Sequence, residues 1–340
     1  MNRRIFLLGL SGLAGCTRDR RPRLNVWNWS NYIAPETVPK FEAEYGVRVR
    51  YAVYESNEEM LARVMGGNSG WDIVFPTDYL VQPMLQQGLL APLQHDLLPN
   101  LHNLASGFQR PAWDPAMQWS VPYMVTAAGI GYNRKLTPPP TAWEDLWNPR
   151  LRGRMTMLDD PFDVFAACLK RLGASINSAD PAQLKQAQAL AIRQKPMLRA
   201  YLNAEARDQL VSGDILAAHM WNTTAQQAID ASPDVAFVYP REGYATYPDC
   251  SVILRESRRT ELAHKFVDFL LRPEIAAANA LAARTTTTNE AARALFPPDF
   301  RDNATLYPGA DIVARGEWAQ TLSPDNQRLR DRLWTEIKAS

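Results

Sequence analysis

Cysteine, histidine and net charge are all scarce in this chain, and each scarcity narrows what it does. The four histidines, His95, His102, His219 and His264, and the three cysteines in 340 residues form no HExxH, no CxxC and no other close metal-ligand spacing. Thirty-seven basic residues stand against 36 acidic ones with no long run of either sign, so there is no electrostatic footprint for nucleic acid. The glycine patterns GxGxxG and GxxxxGKS/T and the GxSxG elbow are missing, which removes the recognisable nucleotide and serine-hydrolase centres. Beyond the N-terminus no apolar run approaches the roughly 18 residues of a membrane-spanning helix.

What the first sixteen residues hold is an export signal. "MNRRIFLLGLSGLAGC" has a basic start at Arg3 and Arg4, an apolar stretch from Ile5 to Leu10, and small residues before Cys16. "LAGC" is similar to a bacterial lipobox, which predicts a lipidated Cys16 at the head of the mature chain, and "NRRIFLL" is weakly similar to a twin-arginine signal. Without this segment 35 basic residues face 36 acidic ones, a net charge of −1. Cys168 and Cys250 remain, and two cysteines so far apart in sequence are expected to sit separately as small buried hydrophobes.

The rest reads as strand and helix in alternation. "LNVWNW" (24–29), "VRVRYAVY" (47–54), "WDIVFP" (71–76), "GRMTML" (153–158), "DILAAHM" (214–220), "DVAFVYP" and "CSVIL" are predicted strands. Helices are predicted over 35–46, with Gly46 as stop, from the Ser56/Glu59 capping box onward, through Val81, Met84 and Leu85, over 161–172 and 181–194, from Thr224, over 261–271 up to Pro273, and from 326. In 47–54, Val47, Val49, Tyr51 and Val53 mark the buried face. Proline-rich "TPPPTAW" is a surface connection. Such alternation indicates parallel βαβ units in an open α/β sheet, and the length suggests about two domains.

Candidate site residues follow from position. Trp29, Thr77 to Tyr79, Asp159 with Asp160, and Trp221 with Asn222 each follow the carboxyl end of a predicted strand, where open α/β sheets bind ligands. The stretch "MLDDPFDVFAACL" is locally ambiguous. Asp160 before Pro161 fits a helix N-cap, and Asp163 suits the first helical turn, yet the same carboxylates could hold a cation. Carboxylates beside tryptophan and tyrosine faces suit an organic ammonium better than a hard metal ion, which needs six or more converging oxygens.

The segments "VWNWSNYIAPETVPKFEAEYG", "YESNEEM", "SVPYMVTAAGIGYN", "AWEDLWNPRLRGRMTMLDDPFDVF", "MWNTTAQQA", "YPREG" and "VDFLLRPEIA" together resemble the spermidine/putrescine-binding proteins that serve polyamine ABC importers. The resemblance runs from about residue 24 to the C-terminus. It implies a two-lobed periplasmic-binding-protein fold of type II: two open sheets flanked by helices, joined by a double crossover hinge. Lobe one would comprise 24–127 plus 247–293, and lobe two 128–246 plus 294–340. Carried over residue by residue, the ligand site is Trp29, Ser30, Tyr32, Thr77, Tyr79, Asp160, Asp163, Trp221, Tyr247 and Asp249. Asn31 stands where the family usually has an acid, Tyr247 where it has a tryptophan, Thr285 an aromatic and Ala319 a glutamine, while Arg284 adds a nearby cation.

The resemblance thus implies a monomeric, lipid-anchored protein, in the periplasm or on the outer cell surface, that captures putrescine or spermidine for an inner-membrane ABC permease. It implies no catalysis and no cofactor. Competing readings are the same role for another amine, an amino acid or a related solute, an exported enzyme, and a sensor or adhesion lipoprotein.

Overall fold

The computed structural model describes residues 19–340. The export segment and Cys16 lie outside these residues. The first unit has the expected alternation. Strands β1 (Arg23–Trp29), β2 (Arg48–Tyr54) and β3 (Ile73–Val74) alternate with helices α1 (Thr37–Tyr45), α2 (Asn57–Met65) and α3 (Val81–Gln86), and β1 pairs in parallel with both β2 and β3. Gly46 ends α1 in the left-handed region, at φ 64°, where a side chain would be strained.

Two local expectations are corrected here. The Ser56 hydroxyl caps α2 by accepting from the Glu59 amide at 3.1 Å, but the Glu59 carboxylate reaches back to the amide of Glu55, not that of Ser56. Val53, read as inward-facing, is 48% exposed. Strand β2 lies at the end of the sheet, and its inward contribution comes from half-buried Val49 and Tyr51 and from buried Tyr54.

Further along come β4 (Val121–Asn133), β5 (Met155–Met157), α4 (Pro161–Arg171), α5 (Pro181–Gln194), β6 (Ala200–Tyr201), α6 (Ala206–Ser212), β7 (Ala217–Trp221), α7 (Asn222–Ala231), β8 (Val235–Val238) and β9 (Tyr244–Ile253). Helices α8 (Thr260–Leu270) and α9 (Pro273–Ala283), strands β10 (Thr286–Thr287) and β11 (Gly316–Trp318), and a C-terminal helix Pro324–Ala339 complete the fold. Pro273 stops α8 as expected and also opens α9 at its first position, where the missing N–H costs nothing.

The strands run β2-β1-β3-β9-β4-β7-β5-β6 in one hydrogen-bonded path. Strand β4, unassigned from periodicity, makes this continuity. Its first half, Val121–Ala127, lies antiparallel to β9, while Ala128–Tyr132 lies antiparallel to β7. Near-uniform burial hides any alternation in β4. Gly129 leaves room for the Phe237 ring and the Val238 carbonyl, which a Cβ would meet at 2.4 and 2.8 Å, and Gly131 leaves room for the Met220 side chain. So β4 and β9, side by side, join the β2-β1-β3 end of the sheet to the β7-β5-β6 end.

Apolar packing follows the same division. Leu24, Phe41, Ile73 and Phe266 share one core, and Ile130, Phe165, Leu184 and Leu333 another. We propose the lobe boundaries expected above, with 294–307 drawn toward lobe one, because Phe296, Phe300 and Leu306 pack on Ala276, Ala277 and Ala280 of α9. Cys168 and Cys250 are free, buried, and in different cores. His219 is fully buried edge-on to Trp143, at 4.9 Å, and desolvation drives its pKa down to about 3, so it serves as a neutral core side chain. No helix among the described residues is long and apolar enough to cross a membrane.

Candidate functional site

A cavity of about 60 Å³ lies between the two halves, room for on the order of five water molecules. Its walls are strand ends. Trp29 ends β1, Thr77 and Tyr79 follow β3, Asp160 follows β5, and Trp221 ends β7. Ser30 and Tyr32 from the turn after β1 and Tyr247 and Asp249 from β9 complete the set expected from sequence, save one residue.

That residue is Asp163, which does not line the cavity. It stands one layer behind, where its Oδ2 accepts from Trp221 Nε1 at 2.8 Å and from the Tyr247 hydroxyl at 2.7 Å. Trp221 Nε1 also donates to the Tyr247 oxygen at 2.7 Å, so one buried carboxylate fixes two aromatic walls. The other walls are held as firmly. Trp29 donates from Nε1 to the Phe75 carbonyl at 2.8 Å and meets Trp221 at 6.3 Å between centroids. Tyr79, from the first lobe, stacks on Phe162, from the second, at 4.8 Å and 14°.

Of the two roles left open by the sequence the capping one is present, since Asp160 Oδ1 accepts from the Asp163 amide at 3.0 Å as the N-cap of α4, and the same side chain lines the cavity. Asp249 accepts from the Thr77 hydroxyl through Oδ1 and the Tyr32 hydroxyl through Oδ2, both at 2.9 Å. These donors are neutral. The lining contains no lysine, arginine or histidine, so the acids face the cavity uncompensated.

Uncompensated burial has an electrostatic consequence. Desolvation raises Asp160 to about 6 against the pull of the helix amides, and Asp249 to about 7 against the Thr77 and Tyr32 hydrogen bonds. Asp163 rises to about 8 through burial and then through the Asp160 charge. The site is short of positive charge by construction.

Of the departures noted from sequence, only Asn31 and Tyr247 line the cavity. Asn31 adopts φ 53°, a left-handed conformation that asparagine and aspartate tolerate. Thr285 is buried behind the wall, its hydroxyl 2.8 Å from that of Thr223. Ala319 packs with Phe162 and Tyr247. Arg284 turns away to pair with Asp230 at 2.6 Å and contributes no charge to the lining.

Sequence reading missed Glu55, Asn57, Thr126 and three residues of the first turns of α7, Thr223, Thr224 and Gln227. Glu55 and Asn57 were within reach, since they follow the end of β2 just as Ser30 follows β1 and Thr77 follows β3. Asn57 donates to Thr77 Oγ1 and to the Tyr79 hydroxyl, both at 3.0 Å. No group of three or more histidine, cysteine, aspartate or glutamate side chains among the described residues is placed to hold a metal ion.

Residues 36–308 match the bacterial extracellular solute-binding protein family. The chain is 33% identical to the putrescine/cadaverine-binding protein of Pseudomonas aeruginosa, over 99% of both chains. It is 32% identical to the spermidine/putrescine-binding periplasmic protein of Escherichia coli, over 96% of this chain and 95% of that one. Among solved structures, the TpPotD lipoprotein of Treponema pallidum superposes with a TM-score of 0.81 at 28% identity, covering 93% of this chain and 99% of that one.

Proposed function

Because the chain belongs to the bacterial extracellular solute-binding proteins, we propose that its cavity captures a polyamine and that the protein delivers it to an ABC importer. The observation that carries this reading is the lining itself: Asp160, Asp249 and Glu55, no cationic side chain, and the faces of Trp29, Trp221, Tyr79 and Tyr247. A protonated amine gains charge-assisted hydrogen bonds from the acids, and the aromatic faces attract the same cation while covering its methylenes. An amino acid would bring its carboxylate to a lining with no cationic side chain to pair with it and with Asp160, Asp249 and Glu55 to repel it. The family and the named relatives are solute-binding proteins, and the chain is not an enzyme.

The ligand-binding residues we propose are Trp29, Ser30, Tyr32, Thr77, Tyr79, Asp160, Trp221, Tyr247 and Asp249, with Asp163 holding Trp221 and Tyr247 in place. The small cavity and the absence of an acid at Asn31 favour a short diamine over a triamine, in line with the relative named for putrescine and cadaverine. Thermal unfolding and calorimetry with putrescine, spermidine and butylamine at fixed ionic strength test both levels. Putrescine at a hundred times its Kd should stabilise the protein by about 2.7 kcal/mol. No stabilisation by any polyamine would overturn polyamine capture; nanomolar spermidine binding preferred over putrescine would overturn only the diamine reading.

Capture for import places the protein outside the cytoplasmic membrane. The lipobox "LAGC" and the family likeness to a spirochaete lipoprotein support a lipid anchor at Cys16, on a protein acting as a monomer. Cys16→Ala should then move the protein from the membrane to the soluble fraction of cells lacking the permease, with putrescine binding by the purified protein unchanged. A variant that stays in the membrane fraction would refute the anchor.

A further inference from the structure

Glu55 is the one acid of the cavity that sits at its mouth. It follows β2, lines the ligand cavity, and lines in addition an outer recess shared with Glu205 and Asp159. Its side chain is half-buried, and Oε2 accepts from the Ser30 hydroxyl at 3.1 Å, beside Asn31. Its backbone carbonyl accepts from Asn203 Nδ2 of the opposite half at 3.1 Å, so the residue stands where the two halves meet.

The acids that line the cavity differ in depth. Asp160 and Asp249 are buried, each 5% exposed. Glu55 is half-buried and opens onto the outer recess. Trp29, Tyr79, Trp221 and Tyr247 line the same cavity. A linear cation with charge at both ends matches acids at two depths, and a cation charged at one end uses only one of them. Resting on the polyamine reading above, we infer that Glu55 receives the outer ammonium of the bound amine and sets the preference for doubly charged ligands over singly charged ones. Ser30 donates to the carboxylate beside the cavity, and Asn203 donates to the Glu55 carbonyl and so holds the backbone at this point.

The side chain and the backbone bond are separable, which makes the inference testable. Glu55→Gln keeps the shape and the carbonyl, and it removes only the charge. Putrescine Kd should rise by about tenfold, less than a fully buried ion pair would give because the carboxylate is partly solvated. The Kd of butylamine, measured in parallel, should change by no more than about twofold. Glu55→Asp should recover part of the preference. Asn31→Asp added to Glu55→Gln should also recover it, because aspartate keeps the left-handed backbone and returns a carboxylate to the same corner of the lining. An unchanged ratio of putrescine to butylamine affinity in Glu55→Gln, or an equal loss for both, would overturn the role of Glu55 while leaving polyamine capture standing. Failure of the unmodified protein to bind any amine would overturn both.

Discussion

Replacing Asp249 by asparagine weakens putrescine binding by about thirtyfold to several-thousandfold, the loss of about 2 to 5 kcal/mol typical of a buried ammonium deprived of its carboxylate. The position has no other structural duty that asparagine cannot meet: the amide oxygen accepts from one of the two hydroxyls, Thr77 or Tyr32, and the amide NH2 donates to the oxygen of the other, which reverses its role. The fold is therefore retained. Asp160 gives a second, sharper separation. Asp160→Asn keeps a good N-cap for α4, because asparagine caps as well as aspartate, and it removes the charge; its loss should appear in affinity alone. Asp160→Ala removes both, adding about 1 kcal/mol of lost stability to the lost affinity. Titration calorimetry and denaturant unfolding on the three variants distinguish the roles. Unchanged affinity in both asparagine variants would remove these carboxylates from the site.

Putrescine affinity rises with pH between 5 and 8, opposite in sense to the stability of the empty protein. The acids of the site have pKa values raised by burial, to about 6 for Asp160, about 7 for Asp249 and about 8 for Asp163. Glu58 on α2 is pushed up to about 8 by burial and then by the Asp160 charge, and Glu55 is raised at the mouth, chiefly by burial. A raised carboxylate pKa means that the folded empty protein holds protons the unfolded chain has already released. Stability from these groups is thus fully present below their unfolded values near 4, and it is lost as pH rises through 6 to 8. A bound dication reverses the preference, because it interacts with the ionised form, and the amine itself stays protonated throughout this range. Each proton that must leave weakens binding by about tenfold per pH unit below the pKa of its group, so Kd at pH 5 should be at least about a hundredfold above that at pH 8. Calorimetry in two buffers of different ionisation enthalpy at pH 6.5 should show proton release on binding, reduced in Asp249→Asn. A Kd constant from pH 5 to 8 would show that the acids are already ionised in the empty site.

Much of this protein is determined locally and can be read from the chain. The α/β class follows from alternating periods, and the rule that open α/β sheets bind ligands at the carboxyl ends of strands singles out Trp29, Thr77, Tyr79, Asp160 and Trp221, all of which line the cavity. Caps are equally local: Asp160 in front of Pro161 and Ser56 before α2 act over three residues. Glu55 satisfied the same strand-end rule at β2, but it stood in a stretch whose capping pattern already accounted for its neighbours.

Side-chain direction is another matter. The hydrogen bonds that shape Asp249 come from residues 172 and 217 positions away, and no periodicity reports such pairings. Asp163 lies in the first turn of α4, as the sequence indicated, yet Trp221 and Tyr247 draw its carboxylate behind the wall. Arg284, adjacent in sequence to Thr285, is turned out of the site by Asp230. Composition and spacing determined which groups come near the cleft, because burial and strand-end geometry are set within a few residues. Only the tertiary structure decided which of them face the ligand, because that depends on β4 and β9 crossing side by side and on partners hundreds of residues apart.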